Sequence, residues 1–366
     1  MARRPFVSII GPSGGNLVTR LGDALVSVKI VDQAGAKSDT AEFTVRIHHP
    51  FPAGPPKGTR YMVSIGWSEQ GARLAGIYTV QTVSIGGDPE GGYQMKVTCR
   101  ASDYIDAMKK VDSGHFDDET VGGIFQKIAG DAGIMALVDP ELAAIKIPYR
   151  LRWNQPAVDF LDDIARENGG TLKLAGGKLL CLRRGGKRSA GGTPFPPIVV
   201  PFDRDYGFEV SIESRGEFKD LGGDWFDPLD GVLKLADGTG IGEASRYLPV
   251  HPFATEDEAK RGAAAAGREQ ARKSVSGSFE MAGNPLATAE APVVPQGYGP
   301  EIDGLDIVCS SATQTVDFGD SGGWVTTVEI ESAGEAAAKK KKGGSGALPD
   351  LGADWEIPAG GENAPE

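Results

Sequence analysis

The chain has 366 residues, 40% of them hydrophobic, and a formal net charge of −12. That length predicts two or three packed domains, and the acidity argues against tight nucleic-acid binding through phosphate neutralisation. Three widely separated cysteines, Cys99, Cys181 and Cys309, read as small buried hydrophobes in a reducing compartment rather than as a disulfide or metal framework. No run of about 18 apolar residues occurs, and Met1-Ala2-Arg3-Arg4-Pro5 lacks the apolar stretch of a secretory signal, so cytoplasmic folding without stable membrane association is expected.

From Leu25 to Arg100 the apolar period is two. Val26, Val28 and Ile30, then Phe43, Val45 and Ile47, then Tyr61, Val63, Ile65 and Trp67, then Tyr93, Met95, Val97 and Cys99 alternate with mostly polar neighbours. This is the pattern of half-buried antiparallel strands, and Gly- and Pro-rich breaks between them predict a barrel or sandwich. The period changes after Asp103. Asp118 is the expected N-cap of a helix with Val121, Ile124, Phe125 and Ile128 on one face, and a second helix is expected from near Asn154, with Pro156 in its first turn. A hairpin about Gly176-Gly177 follows, so 106–185 reads as a small α/β module and 186–196, rich in Gly, Pro and basic residues, as a linker.

The β pattern returns over 197–331, interrupted by one helix. Thr255 and Glu258 form a capping box, acidic residues fill its first turn, and Arg268, Arg272 and Lys273 lie near its end, which suits the helix dipole. The stretch Gly262 to Gly267 has no large side chain, leaving room for a second backbone to approach or for a plain solvent-facing side. Residues 332–366, with Lys339 to Lys342 and a glycine-rich run, have little to bury and are expected to be disordered, with Trp355 as a candidate partner-docking residue.

One hairpin pattern occurs twice. Gln81-Thr82-Val83-Ser84-Ile85-Gly86, with Gly91-Gly92-Tyr93 after the turn, recurs as Gln314-Thr315-Val316-Asp317-Phe318-Gly319, with Gly322-Gly323-Trp324 after the turn. Each copy reads as a strand, a turn needing positive φ at its glycines, and a return strand opening with an aromatic. Chance similarity of two hairpins is the alternative. The preferred reading is a β-rich α+β chain with two similar antiparallel β-barrel domains, 1–105 and 197–331, in which Gly86, Gly91, Gly92, Tyr93, Gly319, Gly322, Gly323 and Trp324 have an interface role.

Catalytic signals are weak. Gly319-Asp320-Ser321-Gly322-Gly323 matches the nucleophile string of trypsin-like proteases, but none of His48, His49, His115 and His251 has that family's context, and the string falls at the second hairpin turn. Gly11-Pro12-Ser13-Gly14-Gly15 nearly fits a nucleophile elbow and reads as a loop. Asp117-Asp118 and Asp162-Asp163 are explained by helix capping and a solvated helix face. No catalytic, cofactor-binding or metal-binding residue is assigned, and no cofactor is expected.

Three stretches, in order, carry a family resemblance. They are Pro55-Pro56-Lys57-Gly58 through Trp67 to Gly76-Ile77-Tyr78-Thr79-Val80; Ala101-Ser102-Asp103-Tyr104 with the Thr120 to Ile124 helix and Pro156 to Gly169; and Phe253-Ala254-Thr255 through Ala271 to Gly277-Ser278-Phe279-Glu280-Met281-Ala282-Gly283-Asn284-Pro285. Together the chain resembles the phage late control protein D family, the tail or baseplate hub proteins of contractile-tailed phages, related to the hub part of type VI secretion spike proteins. The resemblance implies a virion protein assembled in the bacterial cytoplasm, a homotrimer whose two barrels per chain make a pseudo-six-fold ring. That ring would join the tail tube protein to the central spike protein and contact other baseplate proteins, with a lumen for the tape-measure protein and DNA. The acidic balance would suit a carboxylate-lined lumen. The competing class is a cell-wall-degrading tail enzyme, a peptidoglycan hydrolase, for which no spare stretch of sequence remains.

Overall fold

The computed structural model describes residues 4–35, 37–88, 91–101, 108–213, 220–239, 252–319 and 322–334. The first β unit contains β1 (Pro5–Ile10), α1 (Leu17–Leu21), β2 (Leu25–Gln33), β3 (Thr40–Ile47), β4 (Arg60–Trp67), β5 (Gly71–Asp88) and β6 (Gly92–Arg100). Its strands pair antiparallel in the order β1-β4-β5-β6-β3-β2. The alternation read from sequence places Phe43, Tyr61, Val63, Ile65, Trp67, Met95, Val97 and Cys99 in one core. On β2 the alternation breaks. Pairing steps from Leu25–Val45 to Ser27–Thr44, so Val26 is a bulge residue, and Leu25, Val28 and Ile30 face inward instead.

The α/β module contains β7 (Val111–Thr120), α2 (Val121–Asp131), β8 (Met135–Val138), α3 (Pro140–Ala143), β9 (Lys146–Pro156), α4 (Ala157–Glu167), β10 (Gly170–Ala175) and β11 (Lys178–Arg183). Helices α2 and α4 bury Ile124, Phe125, Phe160, Leu161 and Ile164 against Leu172, Leu179 and Cys181 of the hairpin. Both helices exist where expected, but their starts differ. Thr120 caps α2, its Oγ1 accepting the Gly123 N–H at 3.0 Å, while Asp118 lies inside β7 at φ +50°. Asn154 lies inside β9 at φ +44°, and α4 starts after Pro156. Both residues lie within the β7–β9 pairing, which runs from Val111–Pro156 to Thr120–Lys146, and this pairing carries the strands up to the helix starts and overrides the local capping preference. The linker at 186–196 is pinned: the Phe195 N–H donates to the Lys187 carbonyl at 2.9 Å, and Lys187 pairs with Asp306.

The second β unit contains β12 (Ile198–Pro201), β13 (Phe208–Ile212), β14 (Asp220–Asp227), β15 (Val232–Thr239), α5 (Glu256–Arg272), β16 (Val275–Ala282), β17 (Pro292–Gln296), α6 (Pro300–Asp303), β18 (Ile307–Asp317) and β19 (Trp324–Ser332). The hairpin β14–β15 and α5 are an insertion between β13 and β16. Thr255 Oγ1 accepts the Glu258 N–H at 3.3 Å, one half of the capping box. Small residues of α5 allow close approach, by a ring at Gly262 and by the β14 backbone at Ala259, outside the Gly262 to Gly267 stretch. A Cβ on Gly262 would lie 2.3 Å from the Phe253 ring, and one on Gly223 of β14 would lie 2.7 Å from the Ala259 carbonyl oxygen. Ile198, Val200, Phe279, Val293, Cys309, Val328 and Ile330 form the core of this unit.

The capping assignments give a direct test. Thr120→Ala should lower the stability of the module by about 1 kcal/mol in urea denaturation, whereas Asp118→Asn should stay within about 0.5 kcal/mol of the parent. The reverse order would contradict the observed cap.

Candidate functional site: the seam between two equivalent β units

The two β units match strand for strand. The first runs β1-β4-β5-β6-β3-β2, and the second runs β12-β17-β18-β19-β16-β13. The chief difference is that β1 pairs antiparallel with β4 whereas β12 pairs parallel with β17. The units join where β2 pairs antiparallel with β18, from Gln33–Ser311 to Ser27–Asp317, so one sheet runs through both.

At residue level the doubled hairpin is partly displaced from its sequence match. On the return arm the match holds: Val97 pairs with Phe43 as Val328 pairs with Phe279. On the outgoing arm Val97 faces Val83 but Val328 faces Ala312, so Gln314-Thr315-Val316-Asp317 corresponds to Ile85-Gly86-Gly87-Asp88 rather than to the segment from Gln81. The bulges then coincide as well, lying between Val80 and Thr82 in one arm and between Cys309 and Ser311 in the other. Asp88 Oδ1 accepts the Gly91 N–H at 2.7 Å, and Asp317 Oδ1 accepts the Gly319 N–H at 2.8 Å, so one carboxylate closes each turn.

The turn glycines serve different ends. Gly92 has φ +76°, and a Cβ on Gly322 would lie 2.4 Å from the Asp317 carbonyl oxygen, whereas Gly86 and Gly323 face open space. Tyr93 is 37% exposed and stands 5.1 Å from Phe51, while Trp324 is 3% exposed. Asp320, Ser321 and Trp355 lie outside the described residues.

Trp324 and Val316 belong to the core of the first unit although they come from the second. The Trp324 ring lies 4.8 Å from that of Trp67. Trp67 Nε1 donates to the Gly283 carbonyl at 3.0 Å, and Trp324 Nε1 donates to Gln314 Oε1 at 2.8 Å. Gln314 Oε1 also accepts from Thr326 Oγ1 at 2.6 Å, and Gln314 Nε2 donates to the Asn284 carbonyl at 2.8 Å. The buried seam thus has a satisfied polar network between its rings, which specifies geometry as well as adding stability. No sequence signal linked Trp67 to Trp324.

Two charged clusters lock the three parts together. Lys173 of the module pairs with Asp32 and, at 3.3 Å, with Asp39, both from the first unit. Asp32 Oδ2 accepts the Thr288 hydroxyl of the second unit at 2.6 Å. Burial pushes the Asp39 carboxyl up to about 6 against the opposing pull of Lys173. Burial pulls Lys173 down, but Asp32 and Asp39 outweigh it and its net direction is up. In the second cluster Arg184 reaches Glu269 at 2.6 Å and Glu331 at 3.4 Å, and Arg272 reaches Glu331 at 2.9 Å. The Gly185 N–H donates to Glu290 at 2.8 Å, and burial raises that carboxyl against the pull of Arg272.

The catalytic string at Ser321 lies outside the described residues, and the one at Ser13 gathers no machinery among the described residues. Ser13 is an exposed turn residue between β1 and α1, with the Gly14 N–H donating to the Gly11 carbonyl. His115 lies on β7, 3.4 Å from Asp117, and both are exposed. The three cysteines are buried and unpaired, and burial pushes Cys99 and Cys181 to about 12. A groove lined by Arg166, Glu167, Arg184, Arg268, Glu269 and Arg272 contains no serine, cysteine or histidine. Among the described residues no cluster of three metal-ligating side chains occurs, and no helix is long and apolar enough to cross a membrane.

No family model matches the chain. It is 26% identical over 215 residues to the protein named "Probable baseplate hub protein" in Escherichia phage P2, covering 59% of this chain and 55% of that protein. The like-named protein of Escherichia phage 186 is 22% identical over 215 residues, with 59% and 54% covered. The chain resembles phage baseplate hub proteins. It spans about half the length of these curated relatives. Among solved structures, a 43 kDa tail protein of prophage MuSo2 from Shewanella oneidensis matches 90% of this chain and 99% of its own, with TM-score 0.65 and 16% identity. A tail protein from Neisseria meningitidis MC58 matches 91% and 98%, with TM-score 0.65 and 11% identity. An Escherichia coli component of the type VI secretion system matches 84% and 73%, with TM-score 0.53 and 8% identity. The fold is therefore that of these solved tail proteins, and the β-rich α+β class expected from sequence holds.

Two measurements probe the seam. A Cβ on Gly283 would lie 2.0 Å from the Trp324 ring, so Gly283→Ala should lower the urea midpoint by an amount worth about 1–3 kcal/mol, and an unchanged midpoint would refute the close approach. Asp39 is held above its ordinary value, so the folded state takes up its proton first. Its contribution to stability therefore rises as pH falls from neutrality through about 6. Wild type should gain about 1 kcal/mol on Asp39→Asn between neutral and mildly acidic pH, and parallel pH profiles would count against the buried carboxylate.

Proposed function

We propose that this chain is a structural hub subunit of a phage tail baseplate or of a tail-derived injection particle, without catalysis of its own. The observation that carries the reading is the strand-for-strand equivalence of two β units joined edge to edge in one chain. A subunit that offers nearly the same surface twice lets three copies present six similar units, the device needed where a six-fold tube meets a three-fold spike. The similarity to hub proteins over 215 residues supports the reading. So does the match to tail proteins over 90% of the chain.

In this reading the tube, spike and other baseplate proteins bind the rims, the α/β module decorates the ring, and the tape-measure protein and DNA pass through the lumen. The hairpin turns containing Gly86, Gly91, Gly92 and Gly319, Gly322, Gly323 are rim contacts, and Trp355 is a docking residue of the tail. With the face opposite the core turned to the lumen, the lining would be mixed rather than uniformly acidic. On the face opposite the core, the first unit carries Lys29, Arg46, Lys96 and Arg100 with Glu42 paired to Lys96, and the second exposes Glu209, Glu280 and Glu329. A ring of such subunits would alternate basic and acidic patches on that face, which limits phosphate binding without repelling it everywhere.

Mass photometry of the purified chain should show a trimer, and class averages should show six similar β units around a channel. A monomer under all salt conditions would reject the ring. Cell-wall zymography should show no clearing; clearing by the isolated chain would revive the hydrolase reading.

A further inference from the structure

The seam inside one chain is a template for the seam between chains. The equivalence above carries β2 onto β13, Val28 pairing with Phe43 as Phe208 pairs with Phe279, and carries Ser311–Asp317 of β18 onto Thr82–Asp88 of β5. In the first unit's contact with the second, β2 covers the edge of β18. At the opposite ends of the same sheet, among the described residues, β13 pairs only with β16, and Thr82–Gly87 of β5 pairs only with β6. The exposures differ accordingly. Val28 is 0%, Ile30 3%, Gln314 6% and Val316 0% exposed, whereas Phe208 is 45%, Ile212 53% and Ile85 46% exposed.

We infer that β13 of one copy adds to the β5 edge of the next copy, repeating the intrachain seam between molecules. The register is read from β2 and β18: antiparallel, with Ile212 opposite Val83, Ser211 opposite Ser84, Val210 opposite Ile85, and Phe208 opposite Gly87. The donor strand is braced for this role, since the Phe208 ring lies 4.8 Å from Tyr298 and 6.3 Å from both Phe202 and Phe279. Gly87 has no side chain to oppose the Phe208 ring. Because strand β13 and edge β5 are different surfaces, the contact is heterologous and closes only as a ring, and two hydrogen-bonding edges of each subunit disappear together. The occupant is a second copy of this chain because the chain already carries both halves of the joint and has joined one such pair within itself.

This inference rests on the ring reading and can fail separately from it. Ser84 and Ser211 are exposed and outside both cores, so Ser84→Cys with Ser211→Cys should fold like the parent. Under mild copper-phenanthroline oxidation the double variant should give covalent dimer and trimer on non-reducing gels, with neither single variant doing so. Thr82→Cys with Ser211→Cys, two residues out of register, should cross-link far less. A trimer by mass photometry in which the Ser84–Ser211 pair stays open, or in which the shifted pair reacts better, overturns this pairing and leaves the hub reading standing. A chain that stays monomeric overturns both.

Discussion

A sheet edge carries backbone N–H and C=O groups whose hydrogen bonds must go somewhere, and the arrangement of this molecule follows from how its edges are covered. Each β unit, taken alone, has a β2-type edge that needs a neighbour and a β5-type edge that can serve as one. Pairing β2 with β18 satisfies one of each within the chain. It also merges the cores, since Val316 and Trp324 pack with Val28, Ile30 and Trp67. A slip of one residue along this seam would turn Val28 and Ile30 to the opposite face, so burial fixes the register as firmly as the hydrogen bonds do.

The rest of the chain keeps that seam in place. The module contributes Lys173 to a carboxylate pair at the end of β2, and Asp32 of the same pair holds Thr288 in the second unit. Arg184, just after β11, ties the module to α5 and β19 through Glu269 and Glu331. Charges removed from water this far stabilise little in net terms, because desolvation offsets much of the attraction, but each demands its partner in position. Their contribution is to the orientation of the module and the two β units.

The sequence made most strands legible because period-two alternation is a local signal, and the outline of two similar β units was visible in a hairpin repeated across the chain. What was hidden depended on non-local pairing. Val26, Val28 and Ile30 continue a perfect alternation in sequence, and only the pairing with β3 shows Val26 to be a bulge. Asp118 looks like a better N-cap than Thr120 until β9 draws it into a strand. The repeat itself misled by four residues on its outgoing arm. Loop length and bulge position set hairpin register, and the letters Gln-Thr-Val can recur on either side of the true match. The seam between β2 and β18 had no signature at all, since nothing local says which edge a strand will meet. The catalytic strings were present as letters, and the structure shows Ser13 and His115 each on the surface without the arrangement that acyl transfer requires.

The same physics explains why solved relatives at 8 to 16% identity share this fold across 84 to 91% of the chain. A joint made of backbone hydrogen bonds, alternation and turn geometry does not depend on particular side chains, so they can drift while the joint persists. The side chains that cannot drift freely are those where the two units stop being equivalent. Trp324 fills a buried corner against Trp67 where its counterpart Tyr93 stays at the surface, and Gly283 is bare because Trp324 passes over it. Three copies could imitate six only if the backbone of each unit is nearly the same, yet each unit must also know which neighbour is its own chain. The large buried ring pair at the intrachain seam, set against the exposed Phe208, Ile212 and Ile85 at the other edges of the sheet, is what would distinguish a joint within the chain from the proposed joint between copies.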